Sequence, residues 1–105
     1  MITATLLVNK KQEIEEITIS GHAYSNVKGK DLVCAAVSAI SVGAVNALTS
    51  EVATTIEETV DDGFVQIKVL KQNPLQQNIL LTLSYQLETL SVAQPKYITF
   101  RKQEV

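Results

Sequence analysis

The chain has 105 residues, 46% of them apolar, and a formal net charge of −2. That length suits a single domain, residues 1–105, with a core thin enough to fit an oligomer. The slightly acidic total gives no sequence-wide pull toward nucleic acid or acidic membrane, and no apolar run is read as approaching the roughly 20 residues of a membrane span.

Ile2 to Val8 predicts a strand, with Ile2, Ala4, Leu6 and Val8 alternating against Thr3, Thr5 and Leu7. Asn9-Lys10-Lys11-Gln12 is a polar link, and Glu13 to Ser20 is a second strand carrying Ile14, Ile17 and Ile19, so the two make a hairpin. Gly21 breaks the pattern, and residues 22 to 30 read as an exposed loop rich in turn residues. Asp31 suits a helix N-cap, since its carboxylate can accept from free amides at the helix start. Leu32 to about Ser50 follows as a helix, with Val33, Val37, Ile40, Ala44 and Leu48 stepping by three and four. Its near lack of charge predicts burial on more than one side.

Thr54 to Val60 and Phe64 to Leu70 flank Asp61-Asp62-Gly63, a strong hairpin signal. Pro74 suits the first turn of a second helix capped by Asn73. The stripe Ile79, Leu80, Leu83, Leu87, Leu90 carries that helix to about Val92, before Gln94-Pro95 stops it. Lys96 to Lys102 is a last short strand. The order is ββαββαβ, which predicts an α+β fold: a mostly antiparallel sheet with two helices packed on it.

The chain carries one histidine, His22, and one cysteine, Cys34, and they bracket a short segment, the imidazole where the second strand ends and the thiol where the first helix begins. A single cysteine excludes an intrachain disulfide and fits a reduced, cytoplasmic protein. Two soft ligands fall short of the four usual for structural zinc, so no metal or other cofactor is expected. The first residues show no basic region followed by a long apolar stretch, so no signal peptide is read. The pairs Lys10-Lys11, Lys28 with Lys30, and Arg101-Lys102 read as solvated turns or edges, with no direct nucleic-acid partner.

If Asp31 is the cap, Cys34 occupies the third helical position. A thiol there lies near unpaired amides and the positive end of the helix dipole, both of which favour thiolate, the nucleophilic form. Free amides from Val33 to Ala35 would then be oxyanion donors. On a helical wheel Cys34 shares its sector with Ser38 and Ser41, off the main apolar stripe. His22 supplies a base that takes the thiol proton and returns it to a leaving amine. Asp31 is a candidate to orient His22, and Ser38 to bond near the thiol. The plain alternatives stand beside these: a lone helix cysteine is often a small buried hydrophobe, Asp31 only a cap, and the serines small residues at a helix contact.

The run Ile19-Ser20-Gly21-His22-Ala23, followed by Gly29-Lys30-Asp31-Leu32-Val33-Cys34-Ala35-Ala36-Val37-Ser38, resembles the ribosomal-processing cysteine proteases of Gram-positive bacteria. Length and element order are similar across the whole chain. The resemblance implies a dimeric cysteine endopeptidase that removes the N-terminal extension of a ribosomal large-subunit protein, the twenty-seventh in the standard naming. Carried over by position, it implies Cys34 as nucleophile and His22 as base, with Asp31, Ser38 and Gly21 supporting them. Tyr24, Ser25, Asn26, Lys28 and Gly29 would form a substrate loop. The competing readings are a non-enzymatic, ribosome-associated peptide-binding domain, indifferent to thiol alkylation, and an inert assembly domain.

Overall fold

In the computed structural model the order is β1 (Ile2–Val8), β2 (Ile14–Ser20), α1 (Lys28–Glu51), β3 (Ile56–Asp61), β4 (Phe64–Val69), α2 (Pro74–Ala93) and β5 (Ile98–Glu104). Residues 1–22 and 28–105 are described, residues 28–31 by their backbone alone. The five strands form one sheet in the order β3-β4-β2-β1-β5. Three pairings are antiparallel and β1–β5 is parallel, so the sheet is mixed and mostly antiparallel, as the sequence predicts.

Alternation along the strands puts one set of side chains on one sheet face. Leu6 sits opposite Ile17, Ala4 opposite Ile19, Ile17 opposite Ile67 and Ile2 opposite Ile98, and all seven residues are buried. Ile14 and Ile17 are three apart, which would send them to opposite faces of a regular strand. The register shifts between Leu7 and Val8, where Val8 meets Ile14, and that irregularity turns both isoleucines inward.

α1 and α2 pack against each other over the sheet, α2 contacting β2 and β5, and α1 contacting β3. Leu80, Leu83 and Leu87 are fully buried, each contributing about 1.5–3 kcal/mol of apolar burial. Asn73 caps α2 as expected: its side-chain oxygen accepts from the Gln76 amide at 3.0 Å, with Pro74 in the first turn.

Several boundaries differ from the sequence reading. α1 begins at Lys28, so Asp31 lies within the helix and is not its N-cap. Ala53–Thr55 forms a 3-10 turn where a strand start was expected. There the Thr55 carbonyl accepts from the Leu70 amide at 2.8 Å, in register with the β3–β4 pairing, and from the Gln76 side chain at 2.9 Å, while the Thr55 amide turns back to donate to the Val52 carbonyl at 2.9 Å. Leu32–Glu51 has 20 residues and a mean hydropathy of 1.9. It is long and apolar enough to cross a membrane by length and composition, which corrects the expectation that no run approaches that length. In this fold its Val33, Val37, Val45 and Leu48 are buried in the core.

Candidate active site

Three elements meet at a cleft of about 280 Å³. α1 contributes Cys34, Val37, Ser38, Ser41 and Val42, whose spacing of three and four places them along one helix face. The β3–β4 hairpin contributes Val60 through Val65. The ends of β1 and β2 contribute Ile2, Ile19, Gly21 and His22. Cys34, Ser38 and Ser41 line a common groove, and His22 lines the same one. Cys34 is half-buried and packs against the core.

His22 is positioned through its backbone and through the hairpin turn. Gly21 has φ of +100°, and a Cβ there would collide with the Met1 carbonyl oxygen. The Gly21 amide donates to the Gly63 carbonyl at 3.0 Å, and the Met1 amino group donates to the His22 carbonyl at 2.9 Å. Gly21 thus lets the chain leave β2 at an angle other residues resist, and His22 follows it into the cleft. Asp62 Oδ2 lies 4.0 Å from His22 Nε2.

The start of α1 at Lys28 changes the chemistry expected of Cys34. Counting Lys28 as the first helical residue, Cys34 is in the second turn, beyond the four unpaired amides of a helix start. Amides from Val33 to Ala35 bond to carbonyls four residues earlier in a regular helix, so they are not oxyanion donors. Ser41 is also committed, because its hydroxyl donates to the Val37 carbonyl at 2.6 Å. Ser38 is exposed at the cleft one turn after Cys34. In register Asp31 stands three residues before Cys34; its side chain, like that of Lys28, lies outside the described residues, as do Tyr24, Ser25 and Asn26 altogether. The backbone of Lys28 and Gly29 belongs to α1 and not to a loop.

Asp62 and Gly63 are the site residues that sequence reasoning passes over. Asp-Gly at a hairpin tip is fully accounted for by turn chemistry, and only the β2–β4 pairing of Ser20 with Phe64 brings that tip to His22. Among the described residues, no cluster of His, Cys, Asp and Glu is gathered to hold a metal ion.

Known proteins place this cleft in a family. Two curated relatives are both described as ribosomal processing cysteine protease Prp. The one from Staphylococcus aureus is 33% identical over 93 residues, 86% of this chain and 88% of the relative. The one from Mycoplasma pneumoniae is 34% identical over 89 residues, 84% and 87% of the two chains. A crystal structure of the S. aureus Prp with a covalently linked product peptide superposes with a TM-score of 0.88 at 29% identity, covering 98% of this chain and all of that one. Another, of S. aureus Prp with a substrate peptide, gives the same TM-score at 28% identity over the same shares. The family model for the cysteine protease Prp matches residues 1–99. With a cysteine and a histidine lining one cleft of the matching fold, this chain belongs to the Prp family of ribosomal-processing cysteine proteases.

Proposed function

We propose that this protease removes the N-terminal extension of the twenty-seventh large-subunit ribosomal protein, with Cys34 as nucleophile and His22 as base. One observation carries the reading: the single cysteine and the single histidine of the chain line the same cleft. Because Cys34 lies past the helix start, its activation rests on a neighbouring base, as in other thiol nucleophiles paired with imidazole.

The extension lies in the cleft, its apolar side chains against Val37, Val42 and Val60. His22 takes the Cys34 proton. The sulfur attacks the scissile carbonyl carbon, and the tetrahedral oxyanion collapses with cleavage of the C–N bond. The imidazolium gives its proton to the leaving amine. Water, deprotonated by His22, then attacks the thioester, and the thiolate leaves and is reprotonated. The Asp62 carboxylate lies 4.0 Å from Nε2, where it adds a weak, solvent-screened attraction to the imidazolium that forms. Gly21 supports the site by its backbone angle, Ser38 by its place beside Cys34, and Asp31 by its register on α1. Tyr24, Ser25, Asn26, Lys28 and Gly29 are proposed to contact the extension as it binds.

The acting species is proposed to be a cytoplasmic homodimer that engages no nucleic acid directly. A groove between α1 and α2, lined by Ala36, Ala39, Ile40, Tyr85 and Leu90 among others, supports the pairing, since it is apolar and faces outward. The decisive experiment is cleavage of the extended ribosomal precursor by Cys34→Ala and His22→Ala. Each is expected to leave the protein folded and the precursor uncut. Normal cleavage by either variant would sink the assignment, and tight peptide binding without turnover by the wild type would favour a binding module.

A further inference from the structure

We infer that Gly63 is a positioning residue for the His22 imidazole, an inference that rests on His22 being the base. Two demands meet at this hairpin residue. Its φ of +66° is left-handed, as the turn Asp61-Asp62-Gly63 requires. Its bare Cα also lies against the ring: a Cβ there would fall on Nε2 and come within 2.7 Å of Cε1 and 2.9 Å of Cδ2. In addition, the Gly63 carbonyl holds the Gly21 amide at 3.0 Å, the peptide just ahead of His22.

A histidine ring turns broadly about its second side-chain torsion, and this one is 37% exposed. The flat surface of Gly63 limits that rotation on one side. Proton transfer requires the ring nitrogen within about 3 Å of the thiol, and a misplacement near 1 Å can cost roughly 100-fold in rate. Absence of a side chain at residue 63 therefore sets where the base stands, and the turn alone does not require it. Asn and Asp tolerate the left-handed region, so the hairpin accepts them, while the ring does not.

The test uses that difference. Gly63→Asn and Gly63→Asp are expected to keep a native far-UV spectrum and dispersed amide resonances. Their kcat on the extended precursor is expected to fall about 100-fold, with KM changed less than about threefold. His22 is the chain's only histidine, so its ring signals are unique in NMR. They are expected to show a nuclear Overhauser contact to the Gly63 α-protons in the wild type, and to shift in both variants. Absence of the wild-type contact overturns the inference whether or not either variant folds. A folded variant with wild-type kcat overturns it as well, provided His22→Ala is inactive. If His22→Ala itself cleaves normally, the dyad assignment has failed instead, and the ring contact still reports the geometry independently.

Discussion

At the hairpin tip, charge and shape act on the same imidazole with unequal force. The Asp62 side chain is 95% exposed and its oxygen lies 4.0 Å from His22 Nε2. Such a pair is well hydrated and is screened within a Debye length of about 8 Å at physiological salt. Asp62→Asn is therefore expected to lower kcat/KM by no more than about threefold, with the difference fading as salt rises toward roughly 1 M. Steady-state assays across a salt series check this, and a large, salt-independent loss would give the carboxylate a role its exposure argues against. Contact with Gly63 is not screened and dominates. At this scale Cys34 and His22 were legible, since each is alone of its kind, and helical spacing aimed Cys34 at the groove with Ser38 and Ser41. The turn residues were not legible as site residues, because their local chemistry already explains them.

Among the elements, α2 announced itself most fully, through a cap, a proline and a leucine stripe that agree with one another. Asn73→Ala should cost about 1 kcal/mol, read as a lower urea midpoint at unchanged slope. Gln76 is a different matter. It is fully buried and donates to the Thr55 carbonyl at 2.9 Å and the Lys71 carbonyl at 3.0 Å, stitching α2 to the chain on either side of the β3–β4 hairpin. Gln76→Leu removes the donor from those two carbonyl acceptors and is expected to cost about 1–3 kcal/mol in the same denaturation experiment, more than loss of the cap. No periodic pattern marks a lone buried glutamine, and the 3-10 turn that it helps hold was read as strand because Thr54 and Thr55 are β-branched. The start of α1 was hidden for a related reason. Lys28-Gly29-Lys30 carries no apolar period, and Asp31 mimics a cap, so the first helical turn reads as loop.

Over the whole molecule, local patterns gave the hairpins, since adjacent strands with short links pair with each other. They could not give the partner of β5, whose pairing with β1 joins residues near opposite ends of the chain in parallel. The outward groove between the helices belongs to this scale too. Ala39 on α1 is exposed and lines two adjoining stretches of the groove. Ala39→Glu is expected to weaken the proposed dimer at least about tenfold by placing a charge in an apolar contact, without unfolding the protomer. Sedimentation velocity over a concentration series reads the change, and an unaltered association would move the dimer contact elsewhere.

Ile2 lines the cleft, pairs with Ile98 and donates its amide to the Tyr97 carbonyl at 2.8 Å. The wall beside His22 is thus braced by β5, a strand that follows both His22 and Cys34 in the chain. Translation runs at about 5–20 residues per second, so Cys34 and His22 are made some seconds before the strand that braces this wall. The cleft is therefore expected to be complete only once β5 has docked on β1. Chains ending at Ala93 are accordingly expected to leave the precursor uncut, and adding residues 94–105 in cis should restore cleavage.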